Sequence, residues 1–257
     1  MKTKSVFLFL LINLNPFPSF AEAPGSLIKT TARDGAALVS SPFRLNRGDM
    51  KMVAGAGATI AFAALFDRPF ERHLSPHRNS ASATHFRRMG DLGQLAGPAV
   101  GTLFAVQGWA AGNDKSKETA FLSYESFLWS GALCGGIKYA VGRERPSLSS
   151  DPFHFRPASG NASFPSGHTT AAFAAATVFS EQYPHWAVII PSYAAASAVG
   201  FSRMVANQHW GSDVVAGAML GTVVSHTLRK WHRQSKKNPD QAFILIDPSG
   251  LRWVKKF

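Results

Sequence analysis

From Met50 onward, apolar residues recur at helical spacing in Ala- and Gly-rich stretches separated by polar turns. They predict six helices near residues 50–66, 93–111, 118–141, 166–181, 185–204 and 210–231. Helices with apolar faces and no strands between them bury those faces on one another, so the fold class is all-α, a bundle of about six helices. Residues 22–49 mix Gly, Ser, Thr, Arg and Pro without a sustained period and predict an irregular approach to the domain. Two segments predict long loops: 67–92, rich in Arg and His, and 142–165, punctuated by Pro146, Pro152, Pro157 and Gly160. Near the end, the β-prone runs 242–246 and 251–254 flank Asp247-Pro248-Ser249-Gly250, which predicts a small C-terminal β-hairpin.

The first residues change the picture of where this bundle works. Met-Lys-Thr-Lys, an apolar run from Val6 to Leu14 and the small residues around Ala21 predict a secretory signal over residues 1–21. The expected organisation is then that signal, an irregular segment at 22–49, one helical domain at 50–232, and a basic tail with the hairpin at 233–257. A membrane-spanning helix needs about 20 mainly apolar residues. The fourth helix offers about thirteen and the first about fifteen. Six crossings would also strand the basic tail Arg229, Lys230, Arg233, Lys236 and Lys237 outside. The expectation is a periplasmic bundle resting on the inner membrane through apolar helix faces; the alternative is an integral protein with a periplasm-facing site.

Charge narrows the partners. Against 15 Asp+Glu stand 27 Lys+Arg, a formal +12, and such a field concentrates anions. The basic residues are scattered, without the aromatic-interleaved stripe of a nucleic-acid groove, so phosphate esters and anionic lipid are the favoured partners. Cys134 is the only cysteine, which excludes an intramolecular disulfide and a cysteine-based zinc site.

Three short patterns carry candidate chemistry: Lys138 followed after six residues by Arg145-Pro146; Pro165-Ser166-Gly167-His168; and Ser202-Arg203, His209 and Asp213. Ser166 and Gly167 precede an Ala-rich helical run, so their backbone N–H groups stand at a helix N-terminus, a seat for a phosphate oxygen. Arg145 and Arg203 each offer a two-pronged fork to a phosphate, and Lys138 adds a compact third charge. His209 and Asp213, four apart on one helix face, allow the carboxylate to hold one ring nitrogen while the other faces substrate as a nucleophile. His168 is then available to protonate a leaving oxygen and to deprotonate a water. Taken singly, each pattern is also an ordinary cap, solvated charge or surface ion pair; their order along the chain gives them weight.

Together these three patterns resemble the signature motifs of the type 2 phosphatidic acid phosphatase and vanadium haloperoxidase superfamily, over roughly residues 90–230. The resemblance implies an acid phosphatase/haloperoxidase-like helical bundle. It implies that Lys138, Arg145, Ser166, Gly167 and Arg203 bind phosphate, that His209 is the nucleophile with Asp213 its orienting partner, and that His168 is the acid–base. It implies neither a metal nor another cofactor for a phosphatase. The expected activity is hydrolysis of a phosphate monoester or diphosphate, on a phosphorylated lipid or a small ester, through a phosphohistidine. Two other readings stand beside it: a vanadate-dependent haloperoxidase, and an envelope protein that binds anions without turnover. Phe153, Phe155 and Phe164 are either an apolar lip for a lipid chain or loop packing. His73, His77 and His85 lie in a basic stretch without a carboxylate or cysteine ligand beside them, and read as solvated. His154, His185, His226 and His232 show no partner pattern and read as exposed or capping.

Overall fold

The computed structural model describes residues 24–41, 47–77, 80–237, 243–247 and 250–254. The expected signal over residues 1–21 lies outside them. The described helices are α1 (Pro24–Ser40), α2 (Arg47–Ala64), α3 (Asp67–Leu74), α4 (Ala81–Leu92), α5 (Ala96–Ala110), α6 (Asp114–Val141), α7 (Gly167–Gln182), α8 (Trp186–Val205) and α9 (Gly211–Lys237). Two antiparallel strands, β1 (Phe243–Asp247) and β2 (Gly250–Val254), pair Phe243 opposite Val254. None of the hydrogen bonds that build the site described below involves them.

The ends of α6 follow from local chemistry. The Asn113 side chain accepts a hydrogen bond from Ser116 N at 3.1 Å and Asp114 sits in the first turn, where the helix dipole favours an acid. The helix stops at Gly142, whose φ of +59° suits glycine; a Cβ there would also stand 1.7 Å from Arg156 O.

Helix α7 is the centre of the bundle, packed against α5, α6, α8 and α9. Ala171, Ala172, Ala174, Ala175 and Ala176 bury small side chains, so the neighbouring backbones come close. The approach is tightest to α9: a Cβ on Gly217 would lie 2.5 Å from Ser166 O, and one on Gly221 only 2.2 Å from Thr170 O. Two glycines one helical turn apart thus let α9 lie against the start of α7, which fixes the distance between the second and third motifs.

Two stretches differ from the expectation. Residues 22–49 were expected to be irregular, yet α1 occupies Pro24–Ser40. Its period is hard to see because a polar residue, Asp34, is buried among its apolar positions. The helix is held by tertiary contacts: Leu38 packs with Val224 and Leu228, Gly35 lies under the Trp129 ring, and Trp129 Nε1 donates to Thr31 O at 3.1 Å. Residues 67–92, expected to be a loop, form α3 and α4 around a 3-10 turn at Ser75–His77. Ser80 caps α4, accepting from Ala83 N at 3.1 Å, and Gly90 lets that helix close on Ser202 and Arg203. The expected loop at 142–165 holds no helix among the described residues and is pinned by a bridge between Arg143 and Phe155.

By length and composition α8 is apolar enough to cross a membrane, with mean hydropathy 1.3 and 28% of that stretch buried; α2 from Met50 and α3, bent by 43°, pass the same test together. Exposed apolar side chains gather on α2 (Met52, Val53, Phe62), α5 (Leu103, Val106, Trp109) and α8 (Trp186, Ile190).

Candidate active site

Lys138 leaves the last turn of α6, Arg145 follows α6, Ser166 and His168 open α7, Arg203 lies in the last turn of α8, and His209 and Asp213 stand at the start of α9. These positions meet at one end of the bundle. Ser166 N donates to Asp213 O at 2.9 Å, tying the second motif to the third. Ser166 is the N-cap of α7; its buried hydroxyl accepts from Thr169 Oγ1 at 2.8 Å and keeps its own proton to offer. Gly167 joins the first motif to the second, because a Cβ there would lie 3.8 Å from Lys138 Cε. The N–H groups at the start of α7 have no intrahelical acceptor and carry the positive end of the dipole.

The cations are held by groups that a stronger acceptor can replace. Lys138 Nζ donates to Ala162 O. Arg145 donates to Gln208 Oε1, the residue before His209. Arg203, itself buried, reaches across to α4: it donates to Arg87 O at 2.8 Å and to the exposed Asp91 carboxylate at 2.9 Å. Burial pushes the Lys138 ammonium and the Arg145 guanidinium below their ordinary pKa values. His168 is brought down to about 4, first by burial and then by the positive charges of Arg203, His209 and Lys138, with Asp91 opposing. Crowded cations that disfavour one another's charge would be relieved by a bound anion.

His209 is 4% exposed, and its Nδ1 lies 3.6 Å from Asp213 Oδ2. That is an ion-pair distance and too long for a hydrogen bond, so Nδ1 has no partner in the described structure. Burial holds the imidazole below its ordinary value against the opposing pull of Asp213, which leaves a neutral ring, the form that can attack. Beside it, Phe70, Leu74, Pro146 and Met204 line an apolar crevice.

Asp213 is fixed from several sides. Its Oδ1 accepts from Arg143 at 2.6 Å; its Oδ2 accepts from Ser163 Oγ at 2.6 Å and from Trp210 N at 2.9 Å. Burial alone would raise its pKa, but His209, Arg143 and Ser163 outweigh it and hold the group ionised. Arg143 is wholly enclosed: Nε donates to Pro152 O at 2.8 Å, one terminal nitrogen to Ser212 Oγ and Asp213, the other to Asp67 Oδ2 at 2.7 Å. Asp67 in turn accepts from Ser212 N at 2.8 Å and Ser212 Oγ at 2.6 Å. This network of Asp67, Arg143, Ser163 and Ser212 was missed from sequence. Arg143 lies two residues before Arg145 and read as one more basic loop residue, while Asp67 opens a stretch that read as loop.

Of the remaining histidines, His185 caps α8 by accepting from Ala187 N at 3.2 Å, and His226 pairs with Glu181 at 2.7 Å. His232 departs from the expectation of an exposed or capping residue, since it lies between Asp34 and Glu125. Phe153 and Phe155 are exposed.

Such a structure defines a helical protein with a cationic recess beside a buried imidazole–carboxylate pair. Residues 120–237, which contain all three motifs, match the PAP2 superfamily. A protein of Porphyromonas gingivalis named lipid A 1-phosphatase is 42% identical over 130 residues, 48% of this chain and 24% of the relative. One of Rhizobium etli with the same name is 37% identical over 103 residues, 38% of this chain and 44% of the relative. The chain thus spans less than half the length of these curated relatives. Among solved structures, Aquifex aeolicus LpxE superposes with a TM-score of 0.47 at 21% identity, covering 64% of this chain and 95% of that one. The transmembrane PAP2 type phosphatidylglycerolphosphate phosphatase of Bacillus subtilis gives 0.49 at 18% identity, covering 82% and 96%.

Proposed function

We propose that this chain is a phosphoric ester hydrolase that removes the phosphate of a phosphorylated lipid through a phosphohistidine on His209. The observation that carries the reading is the buried His209–Asp213 pair set beside the start of α7 among Lys138, Arg145 and Arg203. In this scheme the phosphate dianion takes the place of Gln208 and Asp91 as the acceptor for Arg145 and Arg203, and its remaining charge rests on Lys138 and on the N–H groups of the Ser166-Gly167 turn. The bound dianion offsets the neighbouring positive charges and lets His168 take up a proton; His209 Nε2 then attacks phosphorus, the bond to the lipid oxygen breaks, and protonated His168 gives that oxygen its proton. Asp213 steadies the imidazolium that develops. His168 then takes a proton from water, whose oxygen attacks the phosphohistidine; the P–N bond breaks, phosphate leaves, and both histidines return to their starting states.

Lipid A is the favoured substrate class, supported by the names of the curated relatives. The exposed apolar side chains of α2, α5 and α8 suit association with the membrane in which such a substrate sits. A signal over residues 1–21 and a catalytic domain at 50–232 complete the proposal, with the site facing the periplasm. Phosphate release measured on lipid A, phosphatidic acid, phosphatidylglycerol phosphate, a polyprenyl diphosphate and a water-soluble chromogenic ester tests the substrate. Lipid A should exceed the soluble ester in kcat/KM by about 100-fold or more, the scale of a few kcal/mol of differential binding. Release from the soluble ester alone would overturn it.

The titration of His168 gives a second expected result. Its folded pKa of about 4 is depressed from 6.5, so the unfolded chain takes up the proton first as pH falls. The resulting stability is fully present above about 6.5 and is lost as pH falls from there through about 4. A bound phosphate supplies the missing negative charge, so inorganic phosphate should raise the thermal midpoint more at pH 5 than at pH 7. In a His168→Gln variant that difference should shrink; an unchanged difference would mean that His168 does not face the anion.

A further inference from the structure

At the far end of α9, some 30 Å from the recess at 1.5 Å per residue, three side chains from three helices meet: Asp34 of α1, Glu125 of α6 and His232 of α9. His232 Nε2 lies 2.8 Å from Glu125 Oε2 and 3.1 Å from Asp34 Oδ2. Side chains of both acids are nearly sealed from solvent, Glu125 at 1% exposure and Asp34 at 3%. The Phe121 ring packs edge-on against the imidazole, and Arg33 donates to Asp34 Oδ1 at 2.8 Å.

A proton does not satisfy this cluster. With a hydrogen on Nε2, the imidazole has one N–H to share between two carboxylates, and the hydrogen bond goes to Glu125 Oε2. Glu125 Oε1 and Asp34 Oδ2 remain buried with no hydrogen bond. A buried acceptor left unmet costs about 1–3 kcal/mol, and more when charged. Two carboxylates and one imidazolium leave one negative charge, which the Arg33 guanidinium offsets only from the other oxygen of Asp34. A divalent cation in place of the proton accepts all three donors at once and gives the orphaned Asp34 Oδ2 a partner. His232 Nε2 already stands 3.1 and 2.8 Å from the two carboxylate oxygens, and all three ligand atoms lie within 4.8 Å of one another, a span that a cation held at roughly 2.0–2.2 Å from each can bridge.

We propose that Asp34, Glu125 and His232 form a binding site for a divalent transition-metal cation, of which Zn2+ is the type, and that the ion fastens α1 to α6 and α9. One imidazole nitrogen with two carboxylate oxygens is a donor set suited to zinc. The ion and a proton compete for the same imidazole nitrogen, since only the unprotonated ring can ligate, so occupancy strengthens as pH rises.

The test uses the full chain, stripped with a chelator and dialysed against ZnCl2. One Zn2+ per chain should be retained, its affinity should rise with pH as the metal displaces a proton, and the thermal midpoint should climb with zinc. His232→Gln and Glu125→Gln should each lose the retained ion. Should either variant fail to fold, the wild-type chain loaded with Co2+ must show the visible bands of a four- or five-coordinate site, quenched by added Zn2+. Absence of retained zinc in the wild type, retention undiminished in a folded His232→Gln chain, or a six-coordinate aqua-like Co2+ spectrum would each overturn the assignment. Because the cluster is remote from His209, these readouts do not depend on whether the chain hydrolyses lipid phosphate.

Discussion

With His209 replaced by Gln, phosphate release should fall by about 10^4-fold or more, the scale of losing a nucleophile that works as one unit with its partners. Glutamine fills much of the same buried space without offering a nitrogen lone pair for attack. Asp213 keeps its bonds to Arg143, Ser163 and the backbone of Trp210 in that variant, so its charge does not become an uncompensated buried one. The thermal midpoint should therefore move by only a few degrees, which separates lost chemistry from lost fold. KM should change far less than kcat, since the cations that bind the dianion remain. In the wild-type enzyme, quenching during turnover of a labelled substrate should trap phosphate that is stable to base and labile to acid; the variant should trap none. Turnover within tenfold of wild type would remove His209 as the nucleophile.

That prediction rests on residues that the chain displays openly. His209 and Asp213 sit four apart at the edge of a helical run, and Ser166-Gly167 precedes another, so the spacing brings the pair together and sets the second motif at a helix start, although α9 itself begins at Gly211, after His209. The helices α5 to α9 are legible for the same reason: Ala- and Gly-rich periods are long there and the turns between them are polar. The boundaries drift where an end is charged, as at Asp114 and Lys237, because the apolar period stops before the backbone does.

What could not be read has a common cause. Asp34, Asp67 and Arg143 are buried, and His232 half-buried, by partners far away in sequence, where the local pattern reads each as solvent-facing. Asp34 thereby hid the period of α1, and Asp67 made the start of α3 look like loop. Arg143 joins Asp67 and Asp213 across 76 and 70 residues, distances over which no local spacing rule operates. The motif-bearing segment matched by the superfamily begins at residue 120, so Asp34, Asp67 and Asp91 lie on helices outside it. Asp67 and Asp91 thus brace the site from outside the recognisable segment, through Arg143 and Arg203.

Arg143→Ala should be the most destabilising single change near the site. It leaves Asp67 and Asp213 as facing carboxylates without their shared cation, and breaking a buried pair in this way costs about 3–5 kcal/mol. At about 2–4 °C per kcal/mol for a domain of this size, the thermal midpoint should drop by roughly 6–20 °C. In whatever fraction folds, the Asp213 carboxyl loses one of the partners that keep it ionised, and kcat should fall while KM holds, because Arg143 spends its donors on Pro152, Ser212, Asp213 and Asp67. Arg143→Lys retains the charge without the fork and should fall between the two. The decisive comparison adds Asp67→Asn to Arg143→Ala: removing one of the two stranded charges should restore part of the midpoint, whereas Asp67→Asn alone should lower it. Equal loss in the single and double variants would mean that Arg143 contributes by packing its side chain and not by binding the two carboxylates together.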